Sequence, residues 1–137
     1  MTRLRVMTYN VRSLRDDAVA VGRVMRAAEP DLVIVQEAPR FLRWRTHAAA
    51  IARRAGLVVI GGGRPARGNL LIGSLRLDVV ATRDVPLTRI PKLHHRAVTL
   101  AHLRVGADEF VVAGTHLDLD AAARLSHAGE EIGRAHV

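Results

Sequence analysis

The run Leu32-Val33-Ile34-Val35 constrains the fold more tightly than any other part of the chain. Successive side chains of an extended strand point to opposite faces, so a run without a polar residue needs apolar cover on both sides. Stretches of helical periodicity flank it. Before it, Ala18, Val21, Val24, Met25 and Ala28 recur at the spacing of one helix face. Asp16 or Asp17 can cap that helix, and Glu29-Pro30-Asp31 ends it because proline cannot continue a helix. After it, the pattern predicts a helix from about Arg40 to Ala55, with Leu42, Ala48, Ile51, Ala52 and Ala55 inward and Gly56 as its stop.

The rest of the chain extends the pattern. Leu4 to Tyr9 alternates in the manner of a first strand, and Asn10-Val11-Arg12-Ser13 follows as a loop. Leu57 to Ile60 predicts a third strand, and Gly61-Gly62-Gly63 with Pro65 a flexible loop. Asn69 to Ile72, Asp78 to Pro86, Arg96 to Arg104 and Phe110 to Thr115 then predict short strands, with Gly106-Ala107-Asp108 as a hairpin turn. Asp120 can cap a last helix through Ala121, Leu125 and Ala128. The expected order is βαβαβ, an antiparallel meander and a helix, an α/β (α+β) arrangement with a mixed sheet and helices on one face.

Composition bounds the function. The 137 residues make one domain at most, with 49 % hydrophobic and 25 % charged residues, an ordinary globular balance. No apolar run reaches the length of a membrane span, and the basic N-terminus is not followed by the apolar stretch of a signal peptide. There is no cysteine, which excludes a disulfide scaffold and thiolate metal sites. These features together favour the cytoplasm. Nothing points to a protein partner. Lys and Arg number 21 against 13 acidic residues, for a formal charge of +8. That balance suits phosphate-rich partners, although the near-complete choice of Arg over Lys is also what a GC-rich genome produces.

Four segments carry a family likeness. They are Leu4-Arg-Val-Met-Thr-Tyr-Asn10, Asp31-Leu-Val-Ile-Val-Gln-Glu37, Gly68-Asn-Leu-Leu-Ile-Gly-Ser74 and Phe110-Val-Val-Ala-Gly-Thr-His-Leu117. In this order and spacing the chain resembles the endonuclease/exonuclease/phosphatase superfamily, the deoxyribonuclease I-like proteins. The resemblance implies a four-layer α/β sandwich, of which this chain would be a part, and phosphoester hydrolysis assisted by Mg²⁺ or Mn²⁺. It leaves the substrate open between nucleic acid, which the charge favours, and a phospholipid or inositol phosphate head group.

The likeness assigns roles. Glu37 would be the metal ligand, since a hard cation takes one or two carboxylates and keeps several waters. Asn10, at the end of the neighbouring strand, would bind a metal-held water or a phosphate oxygen without adding charge. His116 would touch the phosphate, stabilising an oxyanion or protonating a leaving oxygen. Asn69 and Arg96 are candidates for substrate or phosphate binding, Asn69 holding a catalytic neighbour through its amide and Arg96 presenting a planar donor fork. His94 and His95 are expected at the surface, and Asp118 as a solvated turn residue that could support the site. Trp44 is expected to pack its ring rather than stack on a base.

The family pattern also includes a Gly-Asp-x-Asn segment and a Ser-Asp-His segment that supplies the general base. Neither occurs in this sequence. The tail Ile132-Gly-Arg-Ala-His-Val137 is what ATC GGA AGA GCA CAC GTC encodes, the string of a widely used sequencing adapter. The adapter's preceding letters, AG, require Lys, Gln or Glu at position 131, and Glu131 stands there. The expectation is therefore an N-terminal part of one phosphoesterase domain over residues 1–131, followed by an adapter-derived tail over 132–137. Such a piece would be inactive, and one sheet lacking its partner would leave the chain poorly folded. The competing expectation is a complete, non-catalytic, basic nucleic-acid-binding α/β module, indifferent to Mg²⁺. A dinucleotide-binding domain fails for lack of a Gly-x-Gly-x-x-Gly turn after the first strand.

Overall fold

The computed structural model describes residues 2–117 and 119–134. In chain order these form β1 (Val6–Asn10), α1 (Ala18–Ala28), β2 (Leu32–Gln36), α2 (Trp44–Ala55), β3 (Val58–Gly63), β4 (Asn69–Gly73), β5 (Asp78–Pro86), β6 (Ala97–Val105), β7 (Asp108–Thr115) and α3 (Ala121–Arg134). Short 3-10 turns occupy Arg12–Leu14 and Arg64–Ala66.

Two sheets result. The first has the order β1-β2-β4-β3, with β1 parallel to β2 and the other neighbours antiparallel. The second is the antiparallel meander β5-β6-β7. The expected meander therefore starts one strand late, because β4 inserts between β2 and β3 in the first sheet. Its composition explains the placement: Leu70, Leu71 and Ile72 are all fully buried, so β4 needs an interior position.

Alternation along the central strands sorts the core into two layers. Val33 and Val35 of β2 and Leu70 and Ile72 of β4 face α1 and α2, meeting Val21, Met25, Ile51 and Ala52. Leu32 and Leu71 face the other way and meet Ala101, Leu103 and Val105 of β6. The inner face of the first sheet is thus covered by the second. This corrects the expectation of a sheet without a partner, since three strands suffice to bury Leu71 and Leu103 completely. The exposed apolar residues lie elsewhere, among them Val79 and Val80 of β5 and Val111 of β7. The fourth layer is represented by α3, whose His127 Nε2 lies 2.7 Å from the carbonyl of Thr88 and whose Glu130 accepts from the Thr88 amide at 3.0 Å.

Local chemistry sets the helix ends. Asp17 caps α1 by accepting from the amides of Val19 and Ala20 at 2.9 and 3.1 Å, and Asp120 accepts from Ala123 at 2.9 Å in α3. No capping side chain serves α2, which starts at Trp44 rather than near Arg40. Leu42, expected inward, lies before that start and is 86 % exposed. The expected flexible loop at Gly61–Gly63 is instead strand, paired with Leu71, Leu70 and Asn69. The glycines are needed there for space. A Cβ on Gly62 would run into the carbonyl oxygen of Asn69, and one on Gly63 into the Trp44 ring, both at φ values that favour glycine. Trp44 packs its ring in this way, with the Arg45 guanidinium 4.5 Å from the ring centroid.

This packing predicts contrasting glycine substitutions. Gly63→Ala should lose about 2 kcal/mol or more, because strain at positive φ adds to overlap with the indole. Gly61→Ala meets only ordinary contacts at Thr82 and should change stability by no more than about 1 kcal/mol. Urea denaturation of the two variants checks the contrast.

Candidate functional site

The parallel pairing of β1 and β2 brings their C-terminal ends to one edge of the first sheet, with Asn10 opposite Gln36 and Glu37 next in line. Crevices beyond the carboxyl ends of such strands are the usual ligand sites of α/β sheets. β4 runs antiparallel, so its first residue, Asn69, lies at the same edge. In the second sheet Val98 pairs with Thr115, which puts Arg96 and His116 side by side at the matching end of the sandwich.

Glu37 is the centre of the arrangement. Asn10 Nδ2 donates to its Oε1 at 2.9 Å, and His116 Nδ1 lies 3.8 Å from the same oxygen. The Glu37 side chain is 42 % exposed, so it faces the cleft rather than the core. Backbone contacts fix it further. The Glu37 carbonyl accepts from Ser13 at 2.7 Å, and Asn10 Oδ1 accepts from the Arg12 amide at 3.0 Å. Ala38 donates to the Gly68 carbonyl at 2.9 Å. Arg12, Ser13, Leu14, Glu37 and Arg67 all hold positive φ, between 48° and 58°. Each such non-glycine residue costs of order 1–3 kcal/mol, and clusters of this kind gather at working sites.

The cleft above Glu37 has a volume of about 650 Å³. Among the described residues its walls carry Arg15, Arg40, Arg67 and Arg96 against one carboxylate, Glu37, with His94, His95 and His116 alongside. Such a surface attracts anions. His94 and His95 lie at the surface, His94 exposed and His95 half-buried, but both line the cleft, and His95 Nε2 is buried without a hydrogen-bond partner among the described residues. They precede β6 rather than lying in it, so strand alternation does not part them. Removal from water, then the charges of Arg89 and Arg67, hold the His95 imidazole below its ordinary pKa.

The structure thus brings together Asn10, Glu37, Asn69, Arg96 and His116. Asn69 differs from the others in being almost wholly buried, at 2 % exposure, with Nδ2 committed to two backbone carbonyls. Asp118 lies outside the described residues. Arg15, Arg40 and Arg67 were not singled out in the sequence. The signal was proximity: Arg40 stands three residues after Glu37 and Arg67 two before Asn69.

The donor set fits a hard divalent ion that keeps most of its waters, since one cleft-facing carboxylate is what Mg²⁺ needs from a protein. It does not fit a fully protein-ligated transition metal, because among the described residues no three of His, Cys, Asp and Glu converge.

No protein-family model and no curated protein matches the sequence. Solved structures do match the fold. One is a functionally unknown conserved protein from Enterococcus faecalis V583, at TM-score 0.74 and 18 % identity over 96 % of this chain and 62 % of that one. TDP2 of D. rerio, complexed with single strand DNA product, gives TM-score 0.65 at 14 % identity over 97 % of this chain and 56 % of that one. An endonuclease/exonuclease/phosphatase from Beutenbergia cavernae DSM 12333 gives 0.63 at 22 % over 98 % and 44 %. The fold is therefore the deoxyribonuclease I-like α/β sandwich, and the chain spans between 44 % and 62 % of the length of these structures. No helix among the described residues is long and apolar enough to cross a membrane.

The hydrogen bonds at Asn10 predict that Asn10→Ala destabilises the fold by about 1–2 kcal/mol, since the Arg12 amide loses its acceptor and Glu37 its donor. Chemical denaturation of the variant measures it.

Proposed function

We propose that this chain carries the metal-holding part of a phosphoesterase centre acting on nucleic acid. The observation that supports the reading best is Glu37, held by Asn10 at 2.9 Å and faced by His116 at 3.8 Å, at the base of an arginine-lined cleft. Glu37, with Asn10 beside it, would hold Mg²⁺ or Mn²⁺. Such an ion, when bound, polarises a phosphoryl oxygen and offsets the charge that builds up on it. Asn10 keeps Glu37 oriented through its amide hydrogen, adding no charge of its own. His116, when protonated, donates to a phosphate oxygen or gives its proton to the leaving oxygen. Arg40 holds the reacting phosphate against the carboxylate, and Arg96 presents its planar donor fork to a phosphate of the same strand.

Nucleic acid is favoured over a lipid head group because basic residues gather beside Glu37. The TDP2 of D. rerio, which shares the fold, is complexed with a DNA strand. The sequence lacks the Gly-Asp-x-Asn and Ser-Asp-His segments that the family likeness implies. In this reading the 137-residue chain binds its substrate but does not turn it over, and a longer protein that includes those segments does.

The test is hydrolysis of a single-stranded oligonucleotide with and without Mg²⁺. A longer protein, read from the source DNA beyond the codon of Glu131, should cleave only with the metal. Glu37→Gln or His116→Ala should lower its kcat by at least about 100-fold. A source frame that stops after Val137, with oligonucleotide binding indifferent to Mg²⁺, would transfer support to the non-catalytic binding module.

A further inference from the structure

Asn69 is fully enclosed, yet half of its amide is unused. Both hydrogens of Nδ2 are given to backbone carbonyls, those of Ala66 and Ala97, each at 2.9 Å. Its Oδ1 is buried and has no hydrogen-bond partner among the described residues. Flipping the amide would set an oxygen against two carbonyl oxygens, so the orientation is fixed. A buried acceptor left this way is destabilising, which points to a role for the nitrogen that outweighs the loss.

The two carbonyls belong to the residues next to Arg67 and Arg96. One side chain therefore ties the turn before β4 to the start of β6, at the two points where these segments present arginines to the cleft. Arg67 is itself exposed and held at φ 56°, and Gly68 after it takes φ 90° beneath the Ala38 carbonyl. His95, next to Arg96 in the chain, lines the same cleft, its Nε2 buried and without a hydrogen-bond partner among the described residues.

We infer that Asn69 is a positioning residue that braces Arg67 and Arg96, with His95 alongside, into a second phosphate subsite beside the Glu37 centre. The cleft then selects a ligand with phosphates repeated along a chain, an oligonucleotide strand, over a lone phosphate. This rests on reading the cleft as a phosphate site but not on hydrolysis.

The ratio of two affinities tests it in the 137-residue protein. Binding of single-stranded pentathymidylate and of inorganic phosphate is measured by isothermal titration in wild type, Arg67→Ala and Asn69→Ser. Arg67 is exposed, so its variant tests the subsite even if Asn69→Ser fails to fold. Expected is a fall of about 10-fold in the preference for the oligonucleotide in each folded variant. For Arg67→Ala the slope of log K against log salt should also drop by roughly 0.7, the loss of one single-strand phosphate contact. General structural damage would weaken both ligands in parallel and leave the ratio where it was. An unchanged ratio and slope, with phosphate still bound, would overturn the subsite and spare the Glu37 centre. Failure of the wild-type protein to bind either ligand would overturn both.

Discussion

The parallel pairing of β1 with β2 is the constraint on which the rest depends. Its register sets Asn10 against Gln36 and hence within reach of Glu37. A slip of β2 by one residue would turn Val33 and Val35 away from the helices and Leu32 away from the second sheet. The same pairing therefore fixes core and site together. Because both strands end at one edge, the loops that follow them, Arg12–Leu14 and the turn at Glu37, must share a small volume. They do so by adopting left-handed backbone and bonding to each other through Ser13.

The second sheet completes the site as well as the core. Thr99, Ala101 and Leu103 of β6 face inward and are buried. That packing aligns the ends of β6 and β7 with the carboxyl ends of β1 and β2. Arg96 and His116 are delivered to the cleft by the sheet that seals Leu71. A residue at the candidate site thus has a packing partner in the core only a few positions away, as in the short, strand-end segments Gln36-Glu37 and Thr115-His116.

Much of this was legible in the sequence because the strongest signals were local. The apolar run Leu32–Val35, the periodicity of α1, the caps Asp17 and Asp120 and the stop at Gly56 each rest on neighbours in the chain. Asn10, Glu37 and His116 were singled out by their places at strand ends and by family likeness, and the structure brings them together. The misses were long-range. Gly61–Gly63 reads as a loop until the Trp44 ring and the β4 backbone are seen to fill the space a side chain would need. β4 reads as part of a meander until its two-sided burial demands a central position. The place of His95 in the cleft was not legible, because nothing near it in the chain reveals Arg67 and Asn69 in the same lining. Asn69 itself was noticed, but its commitment to Ala66 and Ala97 depends on contacts 3 and 28 residues away.

The imbalance of charge in the cleft links folding to solvent composition. Four arginines and a run of left-handed residues gather there. An anion seated among them binds the folded chain and not the unfolded one, so it adds to stability by mass action, by about 2.7 kcal/mol at one hundred times its dissociation constant. The choice of buffer then becomes a structural variable. On the reading of the cleft as a phosphate site, the melting temperature in phosphate should exceed that in a buffer without multivalent anions.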